Sequence, residues 1–127
     1  MKKENIEKFG QNSLLSKFKT IESLPITRTL ILICLQKKPN SSGYSLIKSI
    51  RSLTNDLVKL KSGTLYPELR KLEKEGLVIS VLTEDKRKTR LYQITEEGRK
   101  KLDELINLIE LRISNILQPI INAYRNN

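Results

Sequence analysis

At Gly76 the hydrophobic period of this chain switches from that of a helix to that of a strand. Ahead of it, Leu65, Leu69 and Leu72 fall at i, i+4 and i+7, a single stripe on a helix. Behind it, Val78, Ser80 and Leu82 alternate with Ile79 and Val81, and Arg90 to Ile94 returns as a second strand. Thr83 to Thr89 between the two runs is polar and reads as a hairpin tip. Gly76 suits the left-handed position just past a helix end, with Leu77 folding back on Leu72. Pro67 is expected in the first turn of that helix, which puts the helix start near Ser62 to Thr64. A helix that runs straight into a short hairpin leaves few architectures open to a chain of 127 residues.

The flanking segments narrow the choice further. Residues 1–23 read as an N-terminal extension with one short helix over Leu14–Ile21, where Leu14, Leu15, Phe18 and Ile21 share a face and Ser13 caps it. Pro25 opens the next element, and Ile26 to Gln36 is apolar nearly all round, as in a helix buried on most sides. Lys37 to Gly43 supplies basic residues and turn formers that end it. A second helix is predicted from Tyr44 to Leu53, with Leu46, Ile47 and Ile50 inward, and Leu57 to Lys61 is a linker. Thr95 caps a long last helix whose first turn holds Glu96 and Glu97, and Pro119 is expected to bend or end it near Gln118. The fold class is mostly α with a small β wing. A winged helix-turn-helix domain spans residues 24–94, and a long C-terminal dimerisation helix spans residues 95–127.

Composition removes several functions. The chain has no His and a single Cys34, so neither His-dependent nucleophilic catalysis nor a tetrahedral zinc site is expected, and no enzyme. Cys34 lies in the apolar run and is read as a small buried hydrophobe. The longest apolar run, Leu30–Leu35, is far short of a membrane span. Lys and Arg number 24 against 14 Asp and Glu, for a net charge of +10, which suits a polyanion. The excess lies ahead of Thr95, since residues 95–127 hold five basic and five acidic side chains.

Four stretches in order carry a resemblance: Ser42-Gly43-Tyr44-Ser45-Leu46-Ile47, Ser62 to Glu73 with its Gly63-Thr64-Leu65-Tyr66-Pro67 core, Glu75-Gly76-Leu77-Val78, and Leu91 to Gly98. From about Leu24 to its end, the chain resembles the PadR-like family of bacterial and archaeal transcriptional regulators. The resemblance implies a winged helix-turn-helix, a dimerising C-terminal helix and repression of a nearby promoter; the location expected, from the lone Cys and the polar amino terminus, is cytoplasmic and nucleoid-associated. Two features depart from the family pattern, namely the N-terminal extension and a short C-terminal region like that of the family's compact branch. Some members sense a planar aromatic ligand through a Trp that this sequence lacks, so no small-molecule effector is indicated.

The expected partner is double-stranded DNA carrying an inverted repeat, with no cofactor. Opposite the Leu stripe stand Tyr66, Arg70 and Lys74, flanked by Thr64 and Lys71, with Lys61 and Ser62 at the helix start. Arg70 is the candidate base reader, while Lys71 and Lys74 suit phosphates. Ser62 and Thr64 either cap the helix, bind phosphate, or do both; Tyr66 either packs or touches DNA. Lys86, Arg87, Lys88 and Arg90 form a second basic patch, a solvated tip or a phosphate grip. Tyr44 is read as tying the second helix to the body, with a phosphate bond as the alternative. Leu102, Ile106, Ile109, Ile113, Ile116 and Ile120 make a heptad seam for a second copy of the chain. A competing function is an architectural, nucleoid-associated protein with little sequence preference, and another is a winged helix used for protein contacts.

Overall fold

The apolar stretch after Pro25 becomes the hub around which the other elements assemble. The computed structural model describes residues 23–126. Its elements are α1 (Ile26–Lys37), α2 (Gly43–Leu53), α3 (Ser62–Lys74), β1 (Val78–Leu82), β2 (Arg90–Ile94) and α4 (Glu96–Arg112). A π-helical segment, Ile113–Leu117, and α5 (Gln118–Arg125) follow. The short helix expected over Leu14–Ile21 lies outside the described residues. A compact unit runs from Pro25 to Leu102, and the chain from Asp103 onward belongs to a second unit. Among the described residues, no helix is long and apolar enough to cross a membrane.

Helix α1 packs on α2, α3 and β2, which is why Ile31, Leu32 and Leu35 have no exposed surface. Leu46 and Ile50 of α2 and Leu65, Leu69 and Leu72 of α3 close the core, with Val78, Tyr92 and Ile94 from the wing. Burial of aliphatic side chains on this scale, about 1.5–3 kcal/mol each, is what makes the three helices form. Cys34 sits among them, and burial pushes its thiol pKa up, so it is held as the inert thiol. Helix α2 starts one residue before the expected Tyr44, because Ser42 caps it by accepting the Ser45 N–H at 3.1 Å.

The wing is a two-stranded antiparallel sheet that pairs Val78 with Ile94 and Leu82 with Arg90. Ser41 adds an isolated bridge to Tyr92, exchanging N–H···O bonds of 3.3 and 2.8 Å. The turn after α1 thus serves as a vestigial third strand, with Asn40 in the left-handed region at φ 61°.

Helix α3 ends as its sequence indicates. Gly76, at φ 78°, donates to Glu73, and Leu77 N–H reaches back to Leu72 at 2.9 Å, the double bond of a Schellman end. Thr95 then binds the same corner from the other side. Its N–H donates to the Leu77 carbonyl at 3.0 Å, its hydroxyl donates to the Gly76 carbonyl at 2.7 Å, and the hydroxyl oxygen accepts the Gly98 N–H at 3.0 Å. Gly98 is required because a Cβ there would overlap the Leu77 carbonyl oxygen and crowd Ile94.

Gly98→Ala weighs two opposed effects. Helix propensity favours Ala by about 1 kcal/mol, while overpacking costs about 1–3 kcal/mol. The atom struck is a backbone carbonyl that cannot rotate away, so a net loss near 1–2 kcal/mol is expected in urea unfolding. An unchanged or raised midpoint would refute the close approach.

Candidate nucleic-acid interface

Helix α3 presents two chemically opposite faces. Leu65, Leu69 and Leu72 are buried, while Lys61, Ser62, Thr64, Arg70, Lys71 and Lys74 are all exposed. An open groove of about 620 Å3 is lined by Pro67, Arg70, Lys71, Glu73 and Lys74. The carboxylates on this helix and its end are bound. Glu68 accepts from Arg28 Nε at 2.7 Å, and Glu75 accepts from Arg28 Nη1 and Nη2 at 2.9 and 3.1 Å. Glu73 accepts from the Ser80 hydroxyl, which in turn accepts from Arg90 Nη1 at 3.0 Å. The Arg28 fork holds the Glu75 carboxyl below the usual carboxylate range.

The N-terminus of α3 differs from its sequence reading in two respects. Lys61 takes the N-cap position with no side-chain hydrogen bond, and Ser62 and Thr64 already lie inside the helix, so neither caps it. The first turn closes by Thr64 and Leu65 N–H on the Lys61 carbonyl at 2.9 and 3.0 Å. The amides of Ser62 and Gly63 find no acceptor among the described residues, which suits an external anion at the positive helix end. Pro67 lies in the second turn rather than the first. Burial of Leu65 carries the helix a turn ahead of the proline, and the Gly63 carbonyl forgoes its usual donor.

Tyr66 is turned toward the body. Its side chain is half-buried, and a Cβ on Gly43 would overlap its ring and hydroxyl. Tyr44 is expected to tie α2 to the body, but the aromatic packed on α2 is Tyr66, over Gly43. Tyr44 itself is 70% exposed, with the Lys48 ammonium over its ring at 5.1 Å. This exposed pair at the start of α2 escapes a sequence reading, because an aromatic beside a glycine is the ordinary signature of packing.

The wing tip is a built turn. Asp85 accepts the Thr83 hydroxyl at 2.6 Å and the Lys88 N–H at 3.2 Å, while Thr83 pairs with Thr89 through both N–H and hydroxyl. Lys88, at φ 50°, completes the turn, and Lys86, Arg87 and Lys88 are exposed on it. Arg90 is different. One guanidinium nitrogen donates across the wing to Ser80 on the neighbouring strand, so the side chain lies along the sheet rather than at the tip.

The Transcriptional regulator PadR-like family model matches residues 31–104, more than half of the chain. The chain belongs to the PadR-like family. Over 87 residues it is 30% identical to the transcriptional regulator YqjI of Escherichia coli, covering 66% of this chain and 41% of that protein. It therefore spans less than half the length of this curated relative. A transcriptional regulator of Clostridium thermocellum is 34% identical with a TM-score of 0.68, covering 72% of this chain and 89% of that one. Bacillus subtilis PadR, solved in complex with operator DNA, is 26% identical with a TM-score of 0.56, covering 64% and 47%.

The family match of this PadR-like chain stops at residue 104, so most of the expected seam lies beyond it. Leu102 is only 4% exposed, so it packs within its own chain. Leu105 and Leu108 are buried too, and Ile106, Ile109 and Ile116 are half-buried. Ile113, Leu117, Ile120, Ile121 and Tyr124 are exposed. Pro119 is expected to bend or end the helix near Gln118, and the regular α-helix is interrupted just ahead of it without the chain leaving helical form. The π-helical turns of Ile113–Leu117 widen the backbone just ahead of the ring, and α5 continues.

Donation from the Thr83 hydroxyl, aided by the Lys88 and Arg87 amides, holds the Asp85 carboxyl below its ordinary value. With the folded value lowered, the tip hydrogen bonds are intact above the ordinary Asp pKa of ~3.9 and break as pH falls through the lower one. Asp85→Ala should speed amide exchange at Lys88 and Thr89 at pH 7 without moving the melting temperature. Unchanged exchange at both amides would show that Asp85 does not order the tip.

Proposed function

We propose that this chain is a sequence-specific DNA-binding transcriptional regulator of the cytoplasm, a dimeric repressor that binds an inverted repeat. One observation carries this reading. On α3 the carboxylates are engaged by Arg28 and Ser80, while Arg70, Lys71 and Lys74 stand exposed beside an uncapped helix start. A helix that exposes Arg70, Lys71 and Lys74 while Glu68 is paired with Arg28 suits a polyanion. Arg70 reads a base edge through its fork, and Lys71, Lys74 and the Ser62 and Gly63 amides meet phosphates. Lys86, Arg87 and Lys88 hold the adjoining backbone. The second copy docks on the exposed stripe of Ile113, Leu117, Ile120 and Ile121, which sits in a stretch of zero net charge. Pairing sets two α3 helices about one DNA turn, ~34 Å, apart.

Anisotropy titrations at fixed salt test the reading with two duplexes, one selected by the protein from a random pool and one scrambled. The wild type should prefer the selected duplex by ~10³-fold or more. Arg70→Ala should cost about 1–3 kcal/mol on the selected duplex and little on the scrambled one. Neutralising Lys86, Arg87 and Lys88 together should weaken both and reduce the salt slope by ~0.9 for every phosphate that is no longer neutralised. Equal affinity of the wild type for both duplexes would instead mark an architectural protein.

Ile113→Asp with Ile120→Asp places charge on the proposed pairing face, where burial is prohibitive. Both positions are exposed, so the winged domain should stay folded. The variant should sediment as a monomer and lose affinity for the selected duplex, because a second head no longer adds to the first. A dimer that persists, or a monomer of wild-type affinity, would reject this helix as the assembly element.

A further inference from the structure

Apolar contact alone does not fix how α3 is aimed. The Leu65, Leu69 and Leu72 stripe holds the helix against the core, but hydrophobic packing is non-directional and tolerates a small roll about the helix axis. A roll of roughly 10° moves a point at the outer radius of ~5–6 Å by about 1 Å. Hydrogen bonds to a base edge tolerate only a few tenths of an ångström. Some directional contact must therefore set the roll before DNA arrives.

Arg28 supplies it from α1. Its Nε edge donates to Glu68 and its Nη1 and Nη2 to the two oxygens of Glu75, at 2.7, 2.9 and 3.1 Å. Glu68 and Glu75 are seven residues apart, so one guanidinium grips the same face of the helix at two points ~10 Å apart along its axis. Arg70 lies about 200° around from Glu68, on the opposite side, where a roll about the axis displaces it fully. The side chains of Arg28 and Glu68 are 16% and 20% exposed, which shields that limb from water, whereas Glu75 at 46% is the looser end. Partly buried ion pairs add little net stability over apolar packing, so the distinctive contribution of this one is geometric.

We propose that Arg28 is a positioning residue for DNA reading, whose two-carboxylate grip sets the roll of α3 and thereby the aim of Arg70. The proposal rests on the DNA-reading role given to α3 above. Lysine cannot replace it, because a point-charge ammonium lacks the planar fork that satisfies two carboxylates at once.

The test uses the full chain, the selected and scrambled duplexes, and two variants. Arg28→Lys should keep the wild-type melting temperature, its affinity for scrambled DNA and its salt slope. The preference for the selected duplex should fall about tenfold or more, the worth of one well-made bidentate contact. Glu75→Gln, which weakens only the exposed limb, should lower the preference in the same direction but less. In the Arg28→Lys background, Arg70→Ala should cost less than in the wild type, since the two residues act through one contact. Equal losses on both duplexes, or fully additive effects of Arg28→Lys and Arg70→Ala, would reduce Arg28 to a structural role and overturn the proposal. If Arg28→Lys does not fold, Glu75→Gln decides by the same criteria. A wild type that selects no duplex refutes the DNA reading itself, whereas a wild type that discriminates alongside variants that do so equally well refutes Arg28 alone.

Discussion

The corner at Gly76, Leu77 and Thr95 is the constraint on which the rest of the structure depends. Three elements meet there: α3 ends, the wing begins, and α4 starts. Gly76 must be left-handed for Leu77 to return to Leu72, and Thr95 can bind the carbonyls of Gly76 and Leu77 only after that return. The same threonine caps α4 through Gly98, whose missing side chain lets the helix start against the Leu77 carbonyl. A helix, a hairpin and a second helix are thereby held by a few hydrogen bonds around three residues. Each such bond adds only about 1 kcal/mol net, so their value lies in direction rather than in total energy.

Magnitudes separate what forms α3 from what aims it. Its buried leucines, worth about 1.5–3 kcal/mol each, account for the helix being there at all. An exposed pair such as Lys100 with Glu97, at 3.8 Å, belongs to a class worth about 0–1 kcal/mol and decides nothing about the fold. Between these extremes stand the half-buried bonds from Arg28 to Glu68 and from Ser80 to Glu73. The first pairs the Glu68 charge with a guanidinium, and together they connect the helix to α1 on one side and to the wing on the other. Electrostatic presentation and mechanical bracing come from the same few side chains.

Much of this is legible from periodicity and turn chemistry. The order of elements, both wing strands, the Schellman end at Gly76 and the Thr95 cap all rest on local rules, and the structure has them where those rules put them. What escapes such rules depends on contacts between residues far apart in sequence. Arg28 reaches Glu68 and Glu75 across forty or more positions, and Ser41 pairs with Tyr92 through backbone alone, so neither leaves a periodic trace. Tyr44 and Tyr66 have the same local character, an aromatic near a glycine or proline, and only the fold decides which one is turned inward. A proline rule drawn from isolated helices also sets Pro67 a turn too early in α3, because it gives no weight to a buried Leu65.

The C-terminal helix shows how a local defect can preserve a larger pattern. A proline placed in a regular α-helix would collide with the carbonyl four residues back, and a kink there would break the apolar stripe. The π-helical turns of Ile113–Leu117 absorb the ring instead, at the cost of advancing the helix phase by a residue. After that advance, Leu117, Ile120, Ile121 and Tyr124 follow at i, i+3, i+4 and i+7, so the exposed apolar stripe stays in register across Pro119. Of the heptad expected from Leu102 to Ile120, Ile113 and Ile120 are exposed, Ile106, Ile109 and Ile116 are half-buried and Leu102 is buried. The exposed apolar face is therefore shorter than the heptad suggests and lies nearer the end of the helix, beyond the residues that the family match covers. Proposed DNA reading and proposed pairing thus fall on separate stretches of chain, so each can be disabled without altering a residue that serves the other.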